Sequence, residues 1–249
     1  MTDLVLATND SGEAEIFASL QGEGPSAGTP VAFIRLSRCN LACTWCDTAY
    51  TWSFTGRFDD DNTPHRDRVT FDRTANQIKL SPAKAAYMIA ATGQKRLVIT
   101  GGEPLMQCGA LAELLAELPD IEVEIETNGT TKASAHVDIR VDQYNVSPKL
   151  AHSGNASELA LLPERLDAYA DDPRAYFKFV IATEDDVEEV LALQSAHRIR
   201  PERLFLMAEG TTSEALREKQ AWLAPLCLEH GFRMSDRMHI HLYGDTRGT

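Results

Sequence analysis

Short apolar runs alternate with amphipathic segments along most of the chain. The runs VAFIRL, RLVIT and YFKFVIA are rich in β-branched and aromatic residues and predict strands at 31–36, 96–100 and 176–182. Short or alternating apolar patterns predict further strands at 121–126, within 138–146, at 203–207 and at 238–242. Apolar residues at helical spacing predict helices between them, at 83–91, 105–118, 158–170, 184–196 and 213–230.

The alternation of strand and helix predicts parallel βαβ units in an α/β sheet or barrel. About six parallel strands are too few for a closed eight-stranded barrel, so an open partial (β/α) barrel is expected. A single domain over 1–249 accommodates this length. The polar segment of about 50–80 interrupts the alternation, and we interpret it as an inserted loop region.

Charge and composition restrict the class of partner. The formal net charge is −13, and Lys and Arg form no run along the chain. A protein that grips a nucleic-acid backbone needs a concentrated basic surface, so no nucleic-acid partner is expected. Residues 1–15 contain acidic side chains and no apolar core segment of a signal peptide, and no run approaches the roughly 20 apolar residues of a membrane span. The sequence therefore predicts a cytoplasmic protein with no signal peptide and no membrane partner.

Three of the five cysteines lie close together in sequence, as Cys39, Cys43 and Cys46. The other two, Cys108 and Cys227, stand alone, and an odd count with one tight group indicates metal ligation rather than a disulfide framework. A [4Fe–4S] cluster usually takes four thiolates, so three would leave one iron open to a small molecule. The alternatives are a chance grouping of cysteines and a zinc loop completed by a distant histidine.

Three further polar segments follow predicted strands, at the edge where parallel α/β folds bind ligands. They are 100–104 (TGGEP), 126–129 (ETNG) and 147–149 (SPK). Paired glycines let a backbone approach a ligand closely, and the Glu103 carboxylate can accept a hydrogen bond from an ammonium group. Each segment alone is also compatible with a plain turn, and Lys149 with a solvated surface lysine. Their shared position with the cysteine loop predicts one ligand-binding edge.

The spacing C-x3-C-x2-C, with the aromatic Trp45 before the last cysteine, resembles the radical S-adenosylmethionine superfamily. The resemblance implies a [4Fe–4S] cluster on Cys39, Cys43 and Cys46 whose open iron chelates S-adenosylmethionine. An electron from the cluster then cleaves that cofactor to a 5′-deoxyadenosyl radical. In that superfamily the GGE segment holds the amino group of the methionine moiety.

Residues outside the cysteine loop narrow the resemblance to one family. The segments IFASLQGEG (16–24), RLSRCNL (35–41), CDT (46–48), TGGEPL, ETNGT and SPK resemble the 7-carboxy-7-deazaguanine synthase family. That family converts 6-carboxy-5,6,7,8-tetrahydropterin into 7-carboxy-7-deazaguanine and ammonia by radical ring contraction, in queuosine-type 7-deazapurine biosynthesis, and Mg²⁺ assists. The resemblance therefore implies a carbon–nitrogen lyase.

The same resemblance implies roles for individual residues. Substrate contacts would come from an N-terminal segment, about 16–30, and specifically from Leu20, Gln21, Gly22, Arg35 and Thr100. Arg35 would pair with the substrate carboxylate, because a planar guanidinium suits a bidentate carboxylate. Thr48 would give its oxygen to Mg²⁺, an ion that prefers oxygen ligands. S-adenosylmethionine would be held by Gly102, Glu103, Ser147, Pro148 and Lys149.

The implied partners are the pterin substrate, a reductant protein such as flavodoxin or ferredoxin, and a second copy of the chain in a homodimer. Two alternatives stay open on the sequence alone. A glycyl-radical activase would share the cysteine loop but would act on a protein glycine and need neither Arg35 nor Thr48. A non-enzymatic iron–sulfur or zinc module would hold metal without cleaving S-adenosylmethionine.

Overall fold

The computed structural model describes residues 2–59 and 61–248, and one sheet of ten strands runs through them. The strands are β1 (Leu4–Ala7), β2 (Ile16–Leu20), β3 (Pro30–Leu36), β4 (Gln77–Leu80), β5 (Arg96–Gly101), β6 (Glu122–Thr127), β7 (Gln143–Val146), β8 (Ala175–Ile181), β9 (Leu204–Ala208) and β10 (Arg233–Ser235). The α-helices are α1 (Arg73–Asn76), α2 (Pro82–Ala91), α3 (Cys108–Ala116), α4 (Ala135–Asp138), α5 (Ser157–Ala160), α6 (Pro163–Asp171), α7 (Asp185–His197), α8 (Ser213–His230) and α9 (Met238–Tyr243). Short 3-10 helices cover Gly24–Ser26, Ala49–Thr51, Pro104–Gln107, Ala151–Ser153 and Pro201–Arg203.

Parallel pairing dominates the sheet. Strands β3, β5, β6, β7, β8, β9 and β10 pair in that order, and each pair is parallel. Antiparallel pairing adds β2 and β1 to β3, and β4 to β1. Within the described residues the sheet therefore ends at β10 on one side and at β4 on the other, which confirms the predicted open α/β barrel.

Alternation along each strand separates an outer face from an inner one. On β3, Ala32, Ile34 and Leu36 join the main hydrophobic core with the helices, whereas Val31 and Phe33 form a separate inner cluster with Val98 of β5. Side chains point alternately to the two faces of a strand, so Arg35 shares the inner face with Val31 and Phe33. The helices cover the apolar outer face of the sheet, and the inner face carries polar side chains such as Arg35 beside this small apolar cluster.

The helix α2 shows why the predicted boundaries agree with the structure. The Ser81 side chain accepts a hydrogen bond from the backbone N–H of Lys84, at 3.3 Å, and Pro82 occupies the first helical position. Both are preferred at helix starts, because Ser satisfies a free N–H and Pro lacks one. Gly93, at φ +73°, adopts the left-handed conformation just after the helix.

The prediction of a strand over 238–242 is wrong, because that segment forms α9. The alternation MHIHL is too short to distinguish a strand from a helix that buries one residue per turn, and in α9 that residue is Ile240. The strands β1, β2 and β10 were not predicted. The segment interpreted as a loop over about 50–80 contains β4, which pairs with β1 from a distant part of the sequence.

Among the helices of residues 2–59 and 61–248, none has the length and apolar character of a membrane-spanning segment.

Candidate active site

A cavity of about 470 Å³ opens at the C-terminal ends of the parallel strands, on the inner face of the sheet. Its volume lies in the range of small-molecule sites. Twelve of the fourteen residues assigned roles from sequence line it: Leu20, Gln21, Gly22, Arg35, Cys39, Cys43, Cys46, Thr48, Thr100, Gly102, Ser147 and Lys149. The structure therefore brings the cysteine loop and the strand-ending segments to one site.

The other two, Glu103 and Pro148, are buried outside this lining. The Glu103 carboxylate accepts hydrogen bonds from the Thr127 hydroxyl at 2.9 Å and the Asn128 N–H at 2.8 Å. Burial raises the pKa of Glu103 to about 7, although these hydrogen bonds lower it. Glu103 thus links the ends of β5 and β6, and its contact with S-adenosylmethionine stays a prediction.

Gly101 and Gly102 bring two pieces of backbone together. A Cβ at Gly102 would lie 2.0 Å from the Arg38 carbonyl oxygen, and one at Gly101 would lie 1.9 Å from the Leu36 carbonyl oxygen. Gly101 also has φ +138°, which side chains rarely tolerate. The sequence analysis expected these glycines to let a ligand approach the backbone. In the structure they also let the end of β5 pack against the start of the cysteine loop.

The three loop cysteines are free thiols, and each sulfur has an N–H donor nearby. The Asn155 amide donates to Cys43 Sγ at 3.3 Å, and the Trp52 indole donates to Cys46 Sγ at 3.2 Å. The Asn128 amide lies 3.9 Å from Cys39 Sγ. N–H donors to sulfur suit thiolates, which are the ligands of iron–sulfur clusters.

Burial raises the pKa of Cys39 to about 12 and that of Cys46 to about 11, and it also raises the pKa of Cys43. A buried thiol loses its proton when a metal supplies positive charge. In the described residues, no group of three or more His, Cys, Asp or Glu side chains is arranged around one ion. Three thiolates on one short loop suit a [4Fe–4S] cluster, whose thiolates each bind a different iron atom.

The surroundings of Trp45 show whether the part of the cavity next to the cysteines fits a cofactor. It lines the cavity, its ring stacks on His152 at 5.6 Å between centroids, and Lys149 Nζ lies 5.4 Å from its centroid. The buried indole N–H of Trp45 has no acceptor within the described residues. Because a buried donor is costly without a partner, this position fits an organic cofactor that offers one.

Arg35 already contacts a carboxylate of its own chain. Its Nε donates to Glu15 Oε1 at 2.8 Å, and Glu15 is fully buried. The Tyr50 hydroxyl lies 3.0 Å and 3.2 Å from the two Glu15 oxygens. Sequence reasoning missed Glu15 and Tyr50, because neither belongs to a motif and only the fold brings them to Arg35.

The predicted substrate residues Gln21 and Thr100 converge on Glu126. Gln21 Nε2 lies 3.2 Å from Glu126 Oε1, and the Thr100 hydroxyl lies 3.2 Å from Glu126 Oε2. Gln21 also donates to the fully buried Glu124 at 2.7 Å. Glu126 comes from the ETNG segment, which the sequence placed at this edge without giving the glutamate a role.

A group of four charged side chains adjoins Glu126, since Lys178 Nζ lies 3.8 Å from Glu126 Oε1, and the sequence analysis missed this group. Glu23 pairs with Lys178 and Arg237, and Arg237 also pairs with Asp47 next to the last loop cysteine. Burial raises the pKa of Glu23, but Lys178 and Arg237 outweigh it and hold the pKa well below its usual range. Both carboxylates therefore stay ionised. Their negative charges are balanced by Lys178 of β8 and by Arg237 of the C-terminal segment.

The C-terminal segment closes this side of the cavity. The Met238 N–H donates to the Gly22 carbonyl at 3.0 Å, and a Cβ at Gly22 would lie 2.5 Å from His239 Nδ1. The Arg247 guanidinium lies 3.6 Å from the Tyr50 ring centroid, so it forms a close cation–π contact. Gly22 is therefore required for packing against α9, a role that its sequence context did not reveal.

Comparison with known proteins agrees with this geometry. Residues 33–153 match the model of the Radical SAM superfamily. A 7-carboxy-7-deazaguanine synthase of Pyrobaculum aerophilum is 36% identical over 94% of this chain and 95% of its own length. A 7-carboxy-7-deazaguanine synthase of Halobacterium salinarum is 34% identical over 94% of this chain and 91% of its own. The crystal structure of QueE from Escherichia coli superposes with a TM-score of 0.65 at 26% identity, and covers 95% of both chains.

Proposed function

Because the chain belongs to the 7-carboxy-7-deazaguanine synthase family of radical SAM enzymes, we propose that it converts 6-carboxy-5,6,7,8-tetrahydropterin into 7-carboxy-7-deazaguanine and ammonia. The observation that carries the proposal is one cavity lined by the three cysteines on one side and by Arg35, Gln21 and Glu126 on another. The carboxytetrahydropterin carries a carboxylate and a ring edge of hydrogen-bond donors and acceptors. The cavity offers it the Arg35 guanidinium, the Gln21 amide and the Glu126 carboxylate.

When bound, the cluster and S-adenosylmethionine supply the radical that starts the rearrangement. The chain's own residues bind the pterin substrate and orient it. Arg35 faces the substrate carboxylate with the part of its guanidinium that Glu15 leaves open. Glu126, fixed by Gln21 and Thr100, accepts from the ring N–H groups of the pterin. The product plus ammonia accounts for all atoms of the substrate, so no further reactant enters the balance.

Anaerobic incubation tests the proposed activity. Reconstituted protein is mixed with the carboxytetrahydropterin, S-adenosylmethionine, Mg²⁺ and a reductant, and the deazaguanine and ammonia are quantified. We expect equal amounts of the two products and no net consumption of S-adenosylmethionine. Cleavage of S-adenosylmethionine without any deazaguanine would keep the radical chemistry and reject this substrate.

A second part of the proposal assigns Mg²⁺ to Thr48. Its side chain lines the cavity, its Oγ1 lies 3.5 Å from Cys46 Sγ, and within the described residues it makes no capping hydrogen bond to the 3-10 helix that follows. A neutral hydroxyl is a weak ligand alone, so the ion would take further oxygens from water and substrate.

Thr48→Val should keep the branched shape and the cluster while it abolishes the stimulation of turnover by Mg²⁺. The measurement compares iron content and turnover with and without Mg²⁺ in the variant and the wild type. Thr92→Val at the end of α2 is the matched control. Undiminished stimulation in Thr48→Val would reject the metal role.

The remaining proposals concern partners. A radical SAM enzyme requires a reductant, and we propose an electron-transfer protein of the flavodoxin or ferredoxin type. The homodimer and the cytoplasmic location also stay predictions. Light scattering of the reconstituted protein would test the dimer, and a mass of one chain would reject it.

A further inference from the structure

Trp52, outside the cysteine motif, directs its indole N–H at a cluster ligand. Nε1 lies 3.2 Å from Cys46 Sγ, and the residue is only 1% exposed. A buried N–H needs an acceptor, and among residues 2–59 and 61–248 the sulfur is the one acceptor recorded for it. A neutral thiol accepts weakly and a thiolate strongly, so this donor is arranged for the metal-bound form of the cysteine.

The segment that follows holds the indole in this orientation. Phe58 packs its ring edge-on against Trp52 at 5.8 Å between centroids, with an interplanar angle of 87°. His65, which is also buried, lies 6.5 Å from the indole between ring centroids and places its Nε2 2.9 Å from the Cys46 carbonyl oxygen. Trp52 therefore contacts the side chain of Cys46, and His65 contacts its backbone carbonyl.

The three cluster cysteines differ in the side chains that donate hydrogen bonds to their sulfur atoms. Cys46 has an indole donor at 3.2 Å and the Thr48 hydroxyl at 3.5 Å. Cys43 has one side-chain amide donor at 3.3 Å, whereas Cys39 has the backbone N–H of Leu41 and a side-chain amide, that of Asn128, at 3.9 Å. Hydrogen bonds to cluster sulfurs favour the more negative, reduced state and so raise the reduction potential.

We propose that Trp52 is a positioning residue that acts through Cys46. Its hydrogen bond to the Cys46 sulfur raises the reduction potential of the [4Fe–4S] cluster. The proposal rests on the cluster that the family implies and does not depend on the identity of the substrate. It gives the segment of about 50–80 a role that the sequence analysis did not assign.

Trp52→Phe tests it, because Phe keeps an aromatic ring in the pocket and removes the N–H. Trp222→Phe on α8 is the matched control, since Trp222 packs against the main core. Each reconstituted protein is titrated with reductant at known solution potentials, and the reduced cluster is followed by EPR. At a given potential we expect the ratio of reduced to oxidised cluster to fall roughly three- to tenfold in Trp52→Phe, as the loss of one hydrogen bond predicts.

For a one-electron couple this shift corresponds to about 30–60 mV. Trp222→Phe should titrate like the wild type. A Trp52→Phe titration that overlays the wild type at equal iron content would overturn the proposal, and so would an equal shift in Trp222→Phe. If Trp52→Phe loads with less iron, the loaded fraction is titrated, because the potential is a property of the chains that carry a cluster.

A second measurement needs no change at Trp52. Protein grown with tryptophan isotopically labelled at the indole nitrogen should show coupling between that nitrogen and the reduced cluster in pulsed EPR. The coupling should persist in Trp45→Phe, which removes the other indole near the loop. Its absence in the wild type, or its loss in Trp45→Phe, would reject the hydrogen bond from Trp52.

Discussion

Arg35 is held by Glu15 before any ligand arrives. Glu15 is fully buried and also accepts from the Tyr50 hydroxyl, so the guanidinium is fixed at Nε. A fixed donor loses little freedom on binding, and its planar fork can then meet a carboxylate in one orientation.

Arg35→Lys should therefore impair use of the pterin more than reductive cleavage of S-adenosylmethionine. Loss of charge-assisted hydrogen bonds of about 1.5–3 kcal/mol predicts a roughly ten- to hundredfold fall in kcat/KM for the pterin. Cleavage of S-adenosylmethionine without substrate should change less than about twofold. Both assays are run on the variant and on Arg217→Lys, an exposed position on α8. Equal losses in the two assays would mean that Arg35 supports the cysteine loop instead.

Glu103 makes the stability of the cluster-free protein depend on pH. Burial raises its pKa from 4.5 to about 7, so the folded state holds a proton that the unfolded state releases. Below about pH 4.5 both states are protonated, and ionisation of the unfolded state destabilises the fold as pH rises towards 7. The total effect is about 3 kcal/mol and is constant above pH 7.

Urea unfolding of the wild type and Glu103→Gln over this pH range measures the effect. The wild type should lose stability relative to the variant as pH rises, by up to about 3 kcal/mol. A difference that does not vary with pH would mean that Glu103 is ionised in the folded protein.

At the scale of elements, the junction of β3 and β5 positions the cysteine loop. A methyl group at Gly102 would lie 2.0 Å from the Arg38 carbonyl oxygen and 3.0 Å from Cys39 Cβ. Gly102→Ala must therefore separate the two strand ends, at a cost of about 1–3 kcal/mol or more. We expect less iron bound per chain and a lower unfolding midpoint.

Gly109→Ala in α3 is the matched control, because a Cβ there meets nothing within 4 Å. It should stabilise the helix by about 0.5–1 kcal/mol and leave iron binding unchanged. Iron analysis and denaturant unfolding distinguish the two variants. Full iron loading of Gly102→Ala would show that the loop tolerates the displacement.

The elements also show what sequence could and could not predict. The long helix α8 was predicted with its bounds, 213–230, because Thr212 caps its start and Gly231 follows its end. The strand β4 was not predicted, since its pairing with β1 joins residues at least seventy positions apart. The MHIHL segment was assigned to the wrong class, because five residues sample too little of either period. Local capping is readable in a sequence, and distant pairing is not.

At the scale of the whole molecule, Arg237 joins three distant parts of the chain. It pairs with Glu23 and with Asp47, and its Nη1 donates to the Gly210 carbonyl. The motifs around the cysteines were recognisable because each is continuous in sequence. This charged group was not recognisable, since the residues that pair in it are separated by 155 to 214 positions.

Arg237→Met should destabilise the whole protein by about 3 kcal/mol, because it leaves the mostly buried Glu23 carboxylate and the more exposed Asp47 carboxylate with one cation fewer. For a chain of this size that is a fall of roughly 10 °C in Tm. Thermal unfolding followed by circular dichroism measures it, and Arg237→Lys should recover part of the loss. Arg233→Met, at an exposed position of β10, is the control. An unchanged Tm in Arg237→Met would mean that water compensates both carboxylates.

The contact between α9 and Gly22 has a consequence for how the enzyme matures. On the ribosome, the cysteine loop and its partners up to Asn155 are made well before Met238 emerges. A growing chain therefore passes through a stage at which the cysteines are present and the wall formed by the last residues is still missing. At that stage the side of the cavity next to Gly22, which α9 covers in the finished protein, is still open. The direction of translation thus means that the ligands of the cluster are made first and the wall beside Gly22 last.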